Sequence, residues 1–424
     1  MGTEVVGTYA VRHKITHRKK ENKTKNPKKR SKNMKKFLSV LLAAVMVISG
    51  MAFAFAQTAS AADVTTKLQF NEDGEFKIMM INDTQDVGKG NKEETVNFIK
   101  KALEQEKPDL VVFDGDQLAD IYPNASVEDY KIAIDNTVGP VNDAKIPFLV
   151  TLGNHDHDRA SKMSEADQYA VYASYEYCIS VNVRGDEDPF TCNTLVYDSY
   201  GEDVVFNIYM MDTNNKANGS YSGINASQLA WYNATSAALK EANDGEVVPS
   251  LLFQHVPVKE VYSLFKECDW KTDGAIYSRR DSKWYVLDES KASGTLGEAP
   301  CSENFDIQTG EYQAWVENGD IIGAFFAHDH LNCFSGTTDD GITMTYNGGT
   351  GFRAYGDAEN GRSIRIINLN EYDVTDYETH VIYYQDVVGE ESSNFFFDTF
   401  SPAILNKVMK VVYAMFGWLI KLFK

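Results

Sequence analysis

The chain is poor in cysteine and proline, with five Cys and ten Pro among its 424 residues. No two cysteines form a Cys-x-x-Cys pair, which excludes a zinc ribbon and a thioredoxin-type redox motif. Cys178 and Cys192 bracket a short polar loop, so a disulfide there and unlinked thiols are both open alternatives. The chain also lacks internal repeats and proline-rich linkers. We therefore predict a single folded domain over residues 62–388.

Positive charge is scarce beyond the first 36 residues. Residues 1–36 carry thirteen Lys and Arg against Glu4 and Glu21, whereas the remainder carries 28 basic and 59 acidic residues, a net charge of −31. An acidic surface of that size repels polyanions, so nucleic acid is excluded as a bulk partner. Hydrophobic residues make up 43% of the chain, which is enough to bury a large core.

Charge is absent altogether from residues 37–61. Basic residues at 32, 35 and 36 precede the apolar run from Phe37 to Ala56, and small residues follow at 59–61. This order predicts a signal peptide over residues 34–61 and an exported protein, extracellular or at the cell surface. An uncleaved anchor is the alternative, because about 20 apolar residues can span a bilayer. Residues 1–33 are predicted to be a basic extension that is disordered or not translated, with Met34 as the start.

Short β-rich runs alternate with amphipathic stretches, which predicts an α/β sandwich. The predicted helices are Glu93–Glu106, Val127–Thr137, Glu165–Tyr177, Ala226–Ala242 and Gly310–Asn318. The predicted strands are Phe76–Ile81, Leu110–Phe113, Phe148–Leu152, Val205–Met211, Ser250–Gln254, Ile321–Ala327, Ile342–Tyr346, Ser363–Leu369 and His380–Tyr384.

Polar clusters follow five of these strands. Five of the eight histidines lie in three of the clusters, Gly153-Asn154-His155-Asp156-His157, Gln254-His255 and His328-Asp329-His330. Two further clusters place Asp83 and Asp116 after strands, and Gly115 allows the sharp turn that aims Asp116 back at the site. Residues two apart in an extended segment point to one side, so His328 and His330 can face one site.

A set of Asp, Asn and His ligands suits Zn, Mn or Fe. Six or seven ligands exceed what one ion in a catalytic site requires, so the sequence predicts two ions bridged by a carboxylate. Two ions can lower the pKa of a bridging water and so generate a nucleophile at neutral pH.

The order of these motifs resembles the calcineurin-like metallophosphoesterase superfamily, and most closely its predicted purple-acid-phosphatase-like branch. The resemblance covers residues 76–369 and rests on Asp83-x-Gln85, Gly115-Asp116-x-x-x-Asp120, Gly153-Asn154-His155-Asp156, His255 and His328-x-His330. It implies a four-layer α/β/β/α sandwich of two mixed β-sheets flanked by helices, with the metal site at the C-terminal ends of the strands.

The resemblance also implies a role for each residue. Asp116 would bridge two divalent or trivalent ions (Mn, Zn or Fe), and His155 would be the acid beside the scissile phosphate, oriented by Asp156. Gln85 stands where the family has His, Ala119 where purple acid phosphatases have Tyr, and Ala327 where the last motif usually has Gly. The remaining metal ligands would be Asp83, Gln85 and His330 at the first site and Asn154, His255 and His328 at the second.

These features predict an exported, dinuclear metal-dependent phosphoesterase that hydrolyses its substrate through a metal-bridging hydroxide. The alternative is a catalytically weak or silent binding protein of the same fold, held at the membrane surface. Arg279, Arg280, Arg353 and His157 are candidates for contact with a substrate phosphate, or are surface residues.

The C-terminal segment, residues 389–424, contains a predicted basic amphipathic helix. Ser401-Pro402 resembles a helix start, apolar residues then recur at helical spacing, and four lysines are expected on the opposite face. The uninterrupted apolar stretch, Val411 to Ile420, is too short to span a bilayer. The helix is predicted to contact a membrane surface through residues 402–424; docking on the protein's own body is the alternative.

Overall fold

The structure is a computed structural model of the chain. It describes residues 11–12, 67–86, 93–119, 125–158, 162–214, 216–217, 220–301, 309–356, 361–390 and 402–420. The predicted signal peptide, most of the basic N-terminal extension and Asp120 lie outside these ranges, and the predictions for them stay predictions.

Two large mixed sheets form the centre of the fold. The strands of the first sheet are β1 (Val11–Arg12), β3 (Glu75–Ile81), β4 (Leu110–Asp114), β5 (Phe148–Thr151), β18 (Ser363–Asn370) and β19 (Tyr377–Tyr383). They lie in the order β1, β19, β18, β3, β4, β5, and β3, β4 and β5 are mutually parallel.

The second sheet has eight strands in the order β14, β16, β17, β15, β10, β7, β6, β2, and β10 is parallel to both of its neighbours. Its strands are β2 (Leu68–Gln69), β6 (Cys192–Tyr197), β7 (Val204–Met211), β10 (Ser250–Gln254), β14 (Ala292–Thr295), β15 (Ile321–Phe326), β16 (Cys333–Thr337) and β17 (Thr343–Tyr346).

Two small sheets and the helices complete the described structure. The small sheets pair β11 (Phe265–Glu267), β12 (Ile276–Ser278) and β13 (Lys283–Leu287), and β8 (Lys216–Ala217) with β9 (Ser220–Tyr221). The helices are α1 (Glu93–Glu106), α2 (Val127–Asp143), α3 (Asn154–His157), α4 (Glu165–Tyr172), α5 (Ala226–Ala242), α6 (Glu311–Asn318), α7 (Tyr384–Val388) and α8 (Pro402–Ile420), with 3₁₀ turns at Lys259–Leu264 and Glu371–Asp373.

The strands are apolar on both faces because both faces are covered. Along β3, Ile78 and Met80 pack into a core shared with β10 and β15 of the second sheet, whereas Met79 and Ile81 pack against α1 and α2. The outer face of the second sheet packs in the same way against α5 and α6. Successive side chains of a strand point to opposite faces, so one strand serves two layers. The predicted four-layer α/β/β/α sandwich is confirmed.

Several predicted boundaries are wrong for identifiable reasons. Helix α2 continues through Pro140 to Asp143 instead of ending at Thr137. Helix α4 ends at Tyr172, five residues early, because the following segment pairs with the edge of the first sheet, where Phe148 N–H donates to Tyr177 O (2.9 Å). Strands β1, β2, β6, β14 and β16, both small sheets and helix α7 were not predicted. None of the five cysteines, all within the described ranges, forms a disulfide.

Candidate metal centre

Five loops at the C-terminal ends of strands converge on one buried point. The loops after β3, β4 and β5 come from the first sheet, and those after β10 and β15 come from the second. Each of these loops carries at least one predicted ligand. The loops lie together because the carboxyl ends of parallel strands open at the same edge of a sheet. The seven predicted ligands lie in these loops: Asp83, Gln85, Asp116, Asn154, His255, His328 and His330.

The first group of contacts surrounds Asp83, which is fully buried. Its Oδ1 lies 3.1 Å from His330 Nε2 and 3.7 Å from His255 Nε2. Gln85 Nε2 lies 3.3 Å from His330 Nε2 and 3.3 Å from Asp116 Oδ2. Loops from both sheets therefore meet side chain to side chain at this point.

The second group shares Asp116 with the first. Asp116 Oδ2 lies 3.1 Å from His255 Nε2, and one ligand atom from each of Asp116, His255 and His328 lies within 4.8 Å of the other two. Asp116 Oδ1 accepts a hydrogen bond from the backbone N–H of His155 (2.7 Å), the residue after Asn154. Asp116 is thus in contact with members of both groups, as a bridging carboxylate would have to be.

Four buried atoms at this point make no hydrogen bond within the described part of the chain. They are Asp83 Oδ1, Asn154 Oδ1, His255 Nε2 and His328 Nδ1. A buried polar atom without a hydrogen bond costs about 1–3 kcal/mol. Asp83 Oδ1 and His255 Nε2 lie within ion-pair distance (3.1 Å) of His330 Nε2 and Asp116 Oδ2, respectively, but make no hydrogen bond, so the four atoms, from four separate loops, need an explanation. All four are oxygen or imidazole nitrogen atoms, which are ligand types for Zn, Mn or Fe. The residues present fit a metal centre.

Unusual backbone conformations aim these side chains inward. Asp83, Gln85, Asp116 and His328 all have left-handed φ values, between 46° and 75°. Gly115 also has a left-handed φ (80°), and a Cβ there would lie 2.7 Å from His255 Nδ1. A Cβ on Gly153 would lie 2.2 Å from Asp116 Oδ1. The two glycines are therefore required for the close approach of the loops after β4 and β5.

Hydrogen bonds to the outer ring nitrogens fix two of the histidines. His255 Nδ1 lies 2.8 Å from Asp114 O, and His330 Nδ1 lies 2.9 Å from Tyr355 O. Because a carbonyl can only accept, Nδ1 carries a proton in both rings, and Nε2 of each ring is the atom that faces the centre. The Tyr355 ring also stacks on His330 with a centroid distance of 4.2 Å.

The charges at the centre suit cation binding. Burial raises the pKa of a carboxyl, but the neighbouring His255 and His155 charges outweigh burial and lower the pKa of Asp116. Burial, reinforced by His255, lowers the pKa of His328 to about 3. These shifts favour an anionic Asp116 and a neutral His328, which are the protonation states that metal ligands need. Outweighing burial, the charges of Asp116 and Asp83 raise the pKa of His255, and Asp83 raises that of His330, so these two rings would release a proton when a metal ion binds.

His155 differs from the other histidines because its side chain is one-third exposed. Burial opposes its protonation, but the charges of Asp116 and Asp158 and the hydrogen bond to Asp158 raise the pKa of His155 to about 9. His155 Nδ1 lies 2.7 Å from Asp158 Oδ2. A protonated imidazole at the rim of a metal centre is placed to donate a proton to a bound group.

The predicted partner of His155 needs correction. Asp156 accepts hydrogen bonds from the backbone N–H groups of Asp116 (2.7 Å), Gly153 (2.9 Å) and Leu118 (2.8 Å). Those bonds hold the turns after β4 and β5 together, and the residue that contacts the His155 ring is Asp158. Asp156 was expected to orient His155 because it is adjacent in sequence, but in a helical turn such as α3 residues three apart face each other.

Two predicted substrate contacts are buried ion pairs. The His157 ring is sandwiched between Glu165 Oε1 (3.1 Å) and Asp212 Oδ1 (3.0 Å). Arg353 Nε lies 3.3 Å from Asp86 Oδ1. Both side chains are less than a tenth exposed, so neither is available to a substrate. His157 instead links the loop after β5 to the end of β7.

Sequence reasoning missed Asp158, Tyr355 and Asp114 as supporting residues. Asp158 could have been found, since it follows His155 at helical spacing. Tyr355 and Asp114 support His330 and His255 from 25 and 141 residues away in the chain, and no local pattern marks such partners.

Comparison with known proteins agrees with the architecture. The sequence model of the calcineurin-like phosphoesterases matches residues 76–332. Two Arabidopsis thaliana proteins, named "Probable inactive purple acid phosphatase 14" and "Probable inactive purple acid phosphatase 28", are each 26% identical; both matches cover 71% of this chain, and they cover 77% and 76% of those proteins. The Saccharomyces cerevisiae protein "Phosphatase DCR2" is 24% identical, over 73% of this chain and 54% of that protein.

Proposed function

This chain belongs to the calcineurin-like phosphoesterase family, and we propose on that basis that it hydrolyses a phosphate ester at a centre that holds two metal ions. The single observation that carries the proposal is the set of four buried ligand atoms, contributed by four loops, that make no hydrogen bond within the described part of the chain. Asp83, Gln85 and His330 would hold one ion, Asn154, His255 and His328 the other, and Asp116 both. When bound, two ions would supply charge neutralisation for the phosphoryl oxygens and an activated water.

The protein's own groups perform three tasks in this proposal. Asp114 O and Tyr355 O hold the rings of His255 and His330 so that Nε2 of each faces the centre. Asp156 ties three backbone N–H groups together and so fixes Asp116. The third task belongs to the His155 imidazolium, which would donate its proton to the oxygen of the leaving group. Asp158 keeps this ring charged and oriented until the proton is transferred.

A second candidate is a catalytically silent protein that keeps the fold and binds a phosphorylated ligand. Two observations favour it: Gln85 stands where the family pattern has a histidine, and two relatives carry the word "inactive" in their names. Against it, the side chains of Asp83, Asp116, His255, His328 and His330 lie beside one another, and His155 lies next to Asp116. These two hypotheses differ in what they expect of turnover, and agree in expecting metal binding.

Removing and restoring metal separates the two candidates. Chelated protein should hydrolyse neither a phosphomonoester nor a phosphodiester above background, because no side chain alone supplies more than about 10²–10⁴-fold. Re-supply with Mn, Zn, Fe or Mg should restore turnover with at least one metal. Metal content, measured by plasma mass spectrometry after desalting, should approach two per chain. Full metal content without turnover on any ester would favour the silent protein.

Gln85→His is expected to strengthen the first site. Gln85 Nε2 reaches within 3.3 Å of both Asp116 Oδ2 and His330 Nε2, so an imidazole at this position can approach the same atoms. Replacing a neutral amide by an imidazole should tighten the weaker of the two metal-binding steps. The expected gain in metal affinity is at least roughly 10–100-fold, the size of effect seen when residues that only support metal ligands are changed. Isothermal titration of the chelated protein with Zn or Mn measures both steps.

The matched control is Gln85→Asn, which keeps the amide and tolerates the left-handed backbone but withdraws the side chain by one methylene. It should weaken the same binding step that Gln85→His strengthens. If both variants titrate like the wild type, residue 85 is not part of the centre.

A further inference from the structure

Helix α8 packs on the body of the protein through one side only. Asn406 is 7% exposed; its Oδ1 accepts a hydrogen bond from the backbone N–H of Tyr277 (2.9 Å), and its Nδ2 donates to Gly297 O (3.4 Å). Seven residues on, the ring of Tyr413 meets Trp284 edge to face, with a centroid distance of 5.4 Å. Residues seven apart share a helix face. The docked side therefore rests on the sheet formed by β11, β12 and β13.

The other side of α8 exposes an apolar stripe, defined as Ile404, Val408, Val411 and Met415. Their spacing of four, three and four places them in one row along the helix, and they are 39%, 49%, 58% and 59% exposed. With Phe416 they make up five of the twelve large apolar side chains that are exposed in the described ranges. Scattered exposure is ordinary, but a continuous apolar row marks an interaction surface.

The positive charge of the residues near the apolar stripe indicates which kind of surface the stripe binds. Residues 399–424 contain four lysines and no acidic residue, in a chain whose net charge is −20. Lys407 is exposed and lies three residues after Ile404 and four before Val411, so it borders the stripe and is not opposite to it, contrary to the sequence prediction. An apolar row with basic residues beside it is the pattern of a helix that lies in the headgroup region of an anionic bilayer.

A second copy of the chain fits the stripe less well. Two copies paired through α8 would bring their lysines together and would also bring together two strongly acidic bodies. Both juxtapositions are repulsive.

Among the described residues, no helix has the combination of length and apolar character that crossing a membrane requires.

We propose that the apolar stripe of α8 binds the surface of an anionic lipid bilayer, with the helix in the plane of the membrane. The docked side, through Asn406 and Tyr413, then fixes the orientation of the whole catalytic domain on that surface. Neither the stripe nor the docked side includes a residue of the metal centre, so the surface is independent of the proposed hydrolysis.

The test is flotation of the full chain with vesicles of phosphatidylcholine containing 30% phosphatidylglycerol, and with phosphatidylcholine alone. Val408→Glu combined with Val411→Glu should lower partition into the anionic vesicles by about tenfold or more, because binding follows buried apolar area and charge. Lys407→Glu should lower it by about fivefold or more, since each basic residue near the surface is worth about fivefold. The wild-type chain should bind the anionic vesicles more tightly than it binds vesicles of phosphatidylcholine alone, and salt should release it from the anionic vesicles.

The matched control is Tyr200→Glu combined with Tyr372→Glu, two residues that are each 79% exposed and lie outside the helix. It makes the same change in net charge and should float like the wild type. All variants carry the apolar run at residues 37–56, so only differences between variants count, and thermal melts confirm that each variant is folded. Equal flotation of the stripe variants and the wild type overturns the proposal. A lipid-free dimer that Val408→Glu and Val411→Glu dissociate also overturns it, because a second copy would then cover the stripe.

Discussion

His155→Ala is expected to lower the turnover of a phosphoester by about 10²–10⁴-fold, the usual contribution of one positioned acid, and to leave the metal content unchanged. The side chain is partly exposed at the rim of the centre, and it is not one of the buried atoms that lack a partner. Its backbone N–H, which donates to Asp116 Oδ1, survives the substitution. Turnover on a monoester with an activated leaving group, together with metal analysis of the same sample, measures both quantities.

Asp158→Asn is the companion variant. It removes one of the two negative charges that raise the pKa of His155, that of Asp116 being the other, but retains a group able to hydrogen-bond to the ring. Turnover should therefore fall less than in His155→Ala, and poor leaving groups should be affected more than good ones. If His155→Ala lost metal in proportion to its activity, His155 would be a ligand or a structural residue and not an acid.

Asp116→Asn is expected to have the largest effect of any single substitution, with loss of both ions and turnover at background. Asp116 contacts His255 of one ligand group and Gln85 of the other. An amide keeps the shape but removes the negative charge between the two groups. Asn also tolerates the left-handed backbone at this position (φ 53°), so the fold should survive. Metal stoichiometry and the thermal melt of the chelated variant test these two statements separately.

Asp114→Asn provides a control two residues away on the same turn. Burial raises the pKa of Asp114 well above its usual range, which favours the neutral carboxyl, and an amide has nearly the same shape as that form. Its backbone oxygen, which accepts from His255, is retained. Metal content and turnover should stay close to wild type. Two ions retained by Asp116→Asn would contradict the bridging role, and so would an equal loss of metal in both variants.

The parts of the fold that were predictable are those in which local pattern and tertiary position agree. Strands β3, β4 and β5 are continuous apolar runs that end in polar residues, and their boundaries were predicted to within one residue. The polar residues had to lie at one edge of the sheet because parallel strands end there. His328 and His330 were expected in an extended segment, but His328 has a left-handed φ of 75° in a bend. Their convergence was predicted, although the backbone that achieves it was not.

What could not be predicted depends on contacts between distant segments. The segment after Tyr172 has helical composition, yet Ile179 N–H donates to Phe148 O (2.9 Å) at the edge of β5, and this pairing ends the helix. Strands β11, β12 and β13 are three to five residues long, too short for a periodic signal. The correct partner of His155 was within reach of helical spacing, whereas the supports of His255 and His330 were not.

The left-handed backbone at Asp83, Gln85, Asp116 and His328 has an evolutionary consequence. Each such residue costs about 1 kcal/mol relative to glycine, which adopts this conformation freely. Selection for thermal stability alone would therefore favour glycine at all four positions, and each replacement would dismantle the centre. A chain with no use for the centre would gain stability by drifting in that direction. The polar residues at these four positions therefore lower the stability of the fold but hold their side chains at the centre, as strained residues do at functional sites.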